Sequence, residues 1–359
     1  MIQKLSNDTP VQQLVASWND LWDIDGQATP MARFESVSRF VESQGNQPLL
    51  VATVQAANHL IGGMILMRSR IKGMSVLRLP NSPLFQCGAL LVHKAEMNTR
   101  HFDQLAASLR RAGSLIYLDW TVETTEIRRL MDSLRNQGSY VYRIKQFDTG
   151  LIKLEGSWDE YWQDRSKNFR KKIRHTLRQL NEQGPISFER FKSFASREQL
   201  KALIDDTLAI EHRTWKGQQG SSLDADLNLR RNFVETLYDL ADANSLEIHF
   251  LRVAGQRIAF DIGMRRDATY YSYKVSFDPQ FAQYGPGHLL LQHQLKEFFQ
   301  QRDIQMVDTI GDLSDATARW TNSSVPKYRY WIANSWTKKM GIRTLAFIKP
   351  LLNKILNRS

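Results

Sequence analysis

The chain has 359 residues, of which 42% are hydrophobic, and it carries a net charge of +11 and a single cysteine, Cys87. One cysteine excludes an intrachain disulfide and agrees with a reducing compartment, and nine Trp residues argue against a disordered chain. The sequence has no apolar run of roughly 18 residues that would predict a membrane span. It also has no apolar core behind a basic start, so we expect no signal peptide and a cytoplasmic protein. The positive charge predicts an acidic partner: nucleic acid, anionic lipid or a phosphorylated small molecule.

The first half of the sequence predicts a mixed α/β unit. Its expected helices and strands follow the capping signals and apolar alternation. We expect helices at 30–43, 99–112 and 123–137, and strands at 48–55, 60–70, 74–80, 114–120 and 140–147.

The second half predicts a similar order of elements. We expect helices from 157, at 165–182, 196–215, 224–243 and up to 302, and strands at 186–191, 246–255, 256–266, 268–277, 304–310 and 328–336. Because both halves run through strands, a helix, a strand, a helix and a strand, we predict a tandem duplication. The expected domains are 1–156 and 157–337, each a mixed sheet flanked by helices, followed by a basic amphipathic helix at 338–359.

A glycine-rich turn at 285–287 precedes the helix that ends near 302. Gly285, Pro286 and Gly287 lead directly into apolar helical periodicity, and a helix N-terminus is a favoured place for a phosphate. A plain loop before a helix is the alternative. His288 and Leu289 follow Gly287 where a Walker loop has Lys and Ser or Thr, so an ATP-binding loop of that type is excluded.

A loop after the last strand of an antiparallel meander resembles the acetyl-coenzyme A loop of GNAT acyltransferases, Arg/Gln-x-x-Gly-x-Gly/Ala. Gly285 and Gly287 fall on its two small positions. Ala282 stands at the first position, and Gln283 comes one residue late. The resemblance implies that the amides around Gly285, Gly287 and His288, with Gln283 nearby, hold a pyrophosphate.

A wider resemblance covers most of the chain. Segments that resemble the cellulose-biosynthesis CelD/BcsL-type GNAT proteins are ATPMARFESVSRFVE (28–42), the stretch from DEYW to SFERF (159–191), EHRTW (211–215), SFDPQFAQYGPGHLLLQH (276–293), VDTIGD (307–312) and ARW (318–320). That family is similar to FemAB-type transferases, which carry two GNAT-like folds in tandem. Family members often show a Lys shortly before the Trp of the last motif, where this chain has Ala318 and Arg319.

The resemblance implies an N-acyltransferase that moves an acetyl or longer acyl group from coenzyme A, without a metal. Its acceptor would be an amine-bearing sugar or another envelope precursor in polysaccharide or cellulose biosynthesis. One alternative is a FemAB-like transferase that uses aminoacyl-tRNA, which would make tRNA the nucleic-acid partner. Another is a scaffold without activity in an envelope synthase complex.

Acyl transfer to an amine needs a base, a donor to the carbonyl oxygen and an acid for the thiolate. The resemblance places the carbonyl donor in the backbone at Val275, Ser276 and Phe277. We expect His212, beside Glu211, to be the base, unless it lies on an exposed helix face. Three other candidates are Asp261, Asp308 and Tyr273, whose alternatives are a salt bridge, a helix cap and a core or cleft-wall position, respectively.

The segment 165–178 holds seven Lys or Arg and no acid. Arg170, Arg174 and Arg178 are spaced by four and share a helix face, which predicts a grip on an anionic group or a solvated surface. The basic segment 338–359 could lie peripherally on an anionic membrane or pack on the core, and we favour packing.

Overall fold

The computed structural model describes residues 2–5, 11–44, 49–71, 73–82, 84–214, 223, 226–321 and 323–344. The chain forms two compact units. The first unit contains residues 1–147 and 326–359, and the second contains residues 148–325. The boundaries predicted from the sequence were 156/157 and 337/338. None of the helices in the described ranges combines the length and the hydropathy needed to cross a bilayer.

The elements are numbered here in chain order. Those up to the seventh strand are β1 (Ile2–Leu5), α1 (Val11–Asp25), α2 (Phe34–Ser43), β2 (Leu49–Ala56), β3 (His59–Ile71), β4 (Met74–Arg78), β5 (Leu90–Val92), α3 (Thr99–Ala112), β6 (Leu115–Val122), α4 (Thr125–Asn136) and β7 (Tyr140–Lys153). Those that follow are α5 (Trp158–Gln163), α6 (Lys167–Asn181), β8 (Ile186–Phe191), α7 (Arg197–His212), α8 (Leu227–Asp242), β9 (Leu246–Val253), β10 (Gln256–Arg266), β11 (Thr269–Phe277), α9 (Pro286–Gln301), β12 (Met306–Asp308), α10 (Asp315–Ala318), β13 (Ser323–Ala333) and α11 (336–344).

The first unit is a mixed sheet covered by helices. Strands β1 to β4 pair antiparallel in sequence order, β4 runs parallel to β6, and β6 pairs antiparallel with β13. Helix α3 connects the parallel pair through a buried stripe that includes Phe102, Leu105 and Leu109. The Asn98 side chain caps this helix by accepting from the His101 amide at 3.2 Å, which satisfies one of the N–H groups that every helix start leaves open.

The second unit repeats this order. Strands β8 to β11 pair antiparallel in sequence order, β11 runs parallel to β12, and β12 pairs antiparallel with the end of β7. Helix α9 connects the parallel pair and buries Leu289, Leu295 and Phe298 against the sheet. Each unit is therefore a meander, a helix and a parallel strand, so the predicted pair of GNAT-like mixed sheets is confirmed.

In the first unit, the segment that contains Asn81 and Gly88 packs beside β4 and β6. The Asn81 side-chain amide donates to the Asp119 carbonyl at 3.2 Å, and the Gly88 amide donates to Asn81 Oδ1 at 2.7 Å. A Cβ on Gly88 would lie 2.5 Å from the Leu79 Cβ, so the segment is packed without spare room. Burial raises the pKa of the Asp119 carboxyl above its usual value.

Candidate active site

A cleft opens in the second unit where β11 and β12 separate. Their parallel ladder covers only Thr269–Tyr271 on β11, whereas β11 itself continues to Phe277. On the other side of β11, Gly263 faces Ser272 and Ile262 faces Lys274, so Tyr273 is an extra residue in a β-bulge. The cleft beside this edge has a volume of about 580 Å³ and is lined by β11, by α9 and by residues after β12.

Asp261 is a buried carboxylate in the wall of the cleft. It lies on β10, opposite Val275 of β11, and the Ser272 hydroxyl donates to its two oxygens at 3.1 and 3.3 Å. Burial raises the pKa of Asp261 to about 6, although the nearby His249 and the hydrogen bonds from Ser272, Gln294 and Tyr270 oppose the shift. A carboxylate with this pKa accepts a proton readily near neutral pH.

Gln294 lies beside Asp261 and has an open acceptor. Its side chain is fully buried, lines the cleft, and uses its amide nitrogen toward the Tyr270 hydroxyl at 3.4 Å and toward Asp261. Within the described chain, no donor lies within hydrogen-bond distance of Gln294 Oε1. Buried acceptors are rarely left without a donor, so Gln294 Oε1 is suited to an N–H group of a ligand.

Behind Asp261, a buried polar chain leads away from the cleft. His249 faces Asp261 across the β9–β10 ladder, and its Nε2 lies 2.6 Å from Glu247 Oε1. Arg190 Nε donates to the same oxygen at 2.6 Å, and its other nitrogens reach Glu297 and Asp303. This pairing keeps the buried Glu247 ionised, with its pKa below the usual value although burial opposes the shift.

The glycine turn forms the mouth of the cleft. Gly285 has φ +58° and ψ 53°, a left-handed conformation that glycine adopts without strain. Pro286 has no N–H, and the amides of His288 and Leu289 both donate to the Gly285 carbonyl, at 2.9 and 3.2 Å. Among the described residues, no acceptor lies within hydrogen-bond distance of the Gly287 N–H, so the turn offers one open amide beside β11.

His288 is a neutral side chain at this mouth. Trp320 Nε1 donates to His288 Nδ1 at 3.0 Å, so Nε2 carries the proton of the neutral ring. Burial, followed by the positive charges of Arg319 and Lys172, lowers the pKa of His288. His288 is therefore arranged as a hydrogen-bond donor through Nε2, and Lys172 in the cleft wall supplies a positive charge next to it.

Two ion pairs tie the EHRTW segment to the cleft. Lys274 Nζ donates to the buried Glu211 at 2.9 Å, and Arg213 Nε lies 2.9 Å from the buried Asp278. Glu211 is thus engaged in a structural pair, and His212 is exposed at the end of α7. Neither lines the cleft, so the structure does not bring the predicted base His212 to the other candidates.

The other predicted catalytic residues take different positions. Tyr273, in the bulge, lines the cleft, which fits both the predicted acid and the cleft-wall alternative. Asp308 accepts from the Ile310 amide at 2.7 Å and from the Thr149 hydroxyl at 3.4 Å, and its neighbours Val307 and Thr309 line the cleft. It does not cap the following short helix α10, whose N-cap is Ser314.

The predicted cofactor residues are partly assembled. Val275, Phe277, Gly285, Gly287 and His288 all line the cleft. Ser276 and Gln283 do not line it: Ser276 pairs with Phe260 in the β10–β11 ladder, and the Gln283 side chain is exposed.

The basic helix α6 contributes one basic residue to the cleft lining, and it is not one of the three arginines predicted to bind an anion. Arg170, Arg174 and Arg178 are not among the lining residues, whereas Lys172 is. Arg170 donates to Gln163, and Arg178 lies 3.3 Å from His175 Nδ1. The buried Phe169, Ile173 and Leu180 fix the rotation of the helix about its axis. Because Lys172 is three residues from Phe169, a helical wheel drawn from the sequence could have indicated that Lys172 lies next to the buried face.

No group of three or more His, Cys, Asp or Glu side chains that could hold a metal ion occurs within the described part of the chain. The arrangement is an open amide and a cation at one end of a cleft, with buried acceptors at its floor. It can hold an anionic group and accept a proton from an amine.

The chain resembles known proteins in its fold. Among curated proteins, no sequence matches the chain. The fold resembles the crystal structure of FemX, with a TM-score of 0.57 at 10% identity over 92% of this chain and 96% of FemX. It also resembles a conserved protein of unknown function from Bacteroides thetaiotaomicron, with a TM-score of 0.57 at 10% identity over 93% of this chain and all of that one. Residues 167–317 match the acetyltransferase (GNAT) domain family, and this segment contains the cleft residues discussed above except Trp320.

Proposed function

We propose that this protein is an N-acyltransferase whose active site is the cleft beside β11 in the second unit. The observation that carries the proposal is the cleft itself. A bulged strand edge, a left-handed glycine turn with an open amide, and a buried carboxylate with raised pKa line one cavity within the matched acetyltransferase segment.

The acyl donor is acyl-coenzyme A, with its pyrophosphate at the Gly285–Gly287 turn. The Gly287 N–H and the positive end of α9 favour an anion there, and Lys172 adds a charge at the same mouth. The thioester then lies along β11 between Val275 and Phe277, where the backbone edge beyond Tyr271 has no β12 partner.

The acceptor is an amine that binds at the floor of the cleft. Its N–H groups meet Gln294 Oε1, and Asp261 takes the proton that the amine must lose before or during attack. The new N–C bond forms as the C–S bond breaks, and Tyr273 is placed in the cleft to return a proton to the thiolate. His212 has no part in this scheme because it lies outside the cleft.

From the sequence resemblance we propose that the acceptor is a sugar or a cell-envelope precursor. We further propose that the protein acts in polysaccharide or cellulose biosynthesis on the cytoplasmic side. The alternative donor is an aminoacyl-tRNA, which the sequence resemblance to FemAB-type transferases implies, and the likeness to FemX concerns the fold alone. The phosphate turn with its open Gly287 amide favours coenzyme A over an RNA-borne donor.

The test is binding of coenzyme A and of acetyl-coenzyme A, measured by calorimetry and by the rise in melting temperature. Gly287→Glu places a carboxylate at the turn and should abolish binding. Gly287→Ala is the matched control, because an added Cβ meets its nearest atoms, on Phe277 and Val275, at 3.9 Å. If the wild type binds neither thioester at millimolar concentration, or if Gly287→Glu binds as well as Gly287→Ala, the proposal is wrong.

A further inference from the structure

The net charge of the chain is concentrated at its C-terminal end. After Asp315, the sequence contains nine of the 48 Lys and Arg residues and none of the 37 Asp and Glu residues. The preceding 315 residues therefore carry a net charge of only +2 out of +11. A segment with this bias attracts anionic partners and repels none of them.

Helix α11 lies within this segment and has two different faces. Ile342 is buried and packs with Val76 and Leu115 in the core of the first unit. Trp336 and Met340 are spaced by four, so they share another face. Trp336 is 73% exposed and Met340 is 44% exposed. The helix is thus anchored by Ile342 while it presents a Trp and a Met to solvent.

Lys339 and Arg343 flank this apolar pair on the helix, and Arg343 also lies over the Tyr140 ring at 5.1 Å, whereas Lys338 lies on the side of the buried Ile342. Lys338 and Lys339 lie between Trp336 and Met340 in sequence, and Arg343 follows one turn later. The sequence beyond the helix, LAFIKPLLNKILNRS at 345–359, continues the mixture of apolar and basic residues without an acid. Trp, apolar residues and Lys or Arg are the composition of helices that lie in a membrane interface.

We infer that the face of α11 formed by Trp336 and Met340 docks on an anionic lipid surface, with Lys339 and Arg343 in contact with lipid phosphates. A nucleic acid would satisfy the basic residues but would offer no apolar medium for the Met340 and Trp336 side chains. Docking of this kind would bring the enzyme to an acceptor held at a membrane.

The test is co-sedimentation of the full chain with phosphatidylcholine vesicles that contain or lack about 30% phosphatidylglycerol. We expect binding to the anionic vesicles that weakens as salt is raised. Lys339→Gln should lower the partition coefficient by about fivefold, which corresponds to about 1 kcal/mol for the one charge. The matched control is Arg129→Gln, one exposed charge on α4 of the same unit, which should leave binding unchanged.

The apolar pair is tested in the same way. Trp336→Ala with Met340→Ala should weaken binding about tenfold or more. Leu227→Ala is the control, because Leu227 is 78% exposed elsewhere in the chain. Equal binding to both kinds of vesicle, no binding at low salt, or loss of tRNA binding in the lysine variant without any vesicle binding would each overturn the inference.

Discussion

Arg213 Nε lies 2.9 Å from Asp278 Oδ2, and this ion pair joins the end of α7 to the first residue of the loop that precedes α9. The other oxygen of Asp278 accepts from the Gln280 amide at 3.0 Å and shapes the same loop. Together with the pair of Glu211 and Lys274, it holds both β11 and the glycine turn in register with α7.

Arg213→Ala should therefore weaken binding of the acyl donor while leaving the acceptor site intact. The buried Asp278 would lose its cation, which we expect to cost about 1–2 kcal/mol of stability because Arg213 is partly exposed. Kinetics should show a higher KM for acetyl-coenzyme A with the KM for the amine unchanged. Arg213→Lys, which keeps the charge, is the control and should recover most of the affinity. An unchanged KM in the alanine variant would contradict the positioning role.

Asp261→Asn should lower kcat about 100-fold or more, since general-base catalysis contributes on that order. Asp261 ionises with a pKa of about 6, so the wild-type rate should fall as the pH drops below about 6. The variant should lose this acidic limb while coenzyme A still binds, as measured by calorimetry. If the variant keeps the wild-type pH profile, a group other than Asp261 accepts the proton from the amine.

The same substitution should stabilise the protein near neutral pH. The pKa of Asp261 is 3.8 in the reference state and about 6 in the folded state. The folded protein therefore holds the proton more tightly, and stability is lost as the pH rises through about 6. Asp261→Asn removes this loss, worth about 2–3 kcal/mol. Its melting temperature should exceed that of the wild type at pH 8, with the gap closing at pH 4.

Lys172 and Arg174 form a matched pair on one helix. Lys172 lines the cleft, whereas Arg174 is exposed and does not line it. Lys172→Gln should raise the KM for acetyl-coenzyme A several-fold at low salt, in keeping with the 0.2–1 kcal/mol or so that an exposed charge contributes. Arg174→Gln should leave both kinetic constants unchanged. If the two substitutions have equal effects, Lys172 has no special role, and the arginine face predicted from the sequence also binds the anion.

His288 gives the opposite dependence of stability on pH. Its folded-state pKa is lowered, first by burial and then by Arg319 and Lys172. Its contribution is present above the unfolded pKa of about 6.5 and is lost as the pH falls through the lower folded value. His288→Gln can still accept from Trp320 and does not titrate. The wild type should therefore lose melting temperature relative to this variant between pH 7 and pH 5.

Most of the fold follows from local sequence signals. The helix predicted at 99–112 and the strand at 256–266 match α3 and β10, because capping residues and turn residues mark their ends. Helix α1 (Val11–Asp25) was missed since its two Trp residues are buried by tertiary packing rather than by a clear apolar stripe. The last strand begins at Ser323, before the predicted 328, and Pro326 within it hides the extended segment.

Residues of the candidate site were predictable only where the local sequence pattern is itself unusual. The turn at Gly285 and Gly287 and the carboxylate in an apolar strand, Asp261, were found in this way. Gln294 was missed because a polar residue in a helix gives no sign of burial until the sheet that covers it is known. His212 was chosen for its chemistry, and only the packing of α7 shows that it is exposed and not among the residues that line the cleft.

The position of β13 has a consequence for biosynthesis. This strand completes the first unit by pairing with β6, and its Tyr330 and Ile332 are buried in that unit's core. The first unit therefore cannot finish folding until the ribosome has made residues 326–333, whereas residues 148–325 form a contiguous unit that can fold earlier. A nascent chain stopped before 326 should show a protease-resistant second unit and a protease-sensitive first one.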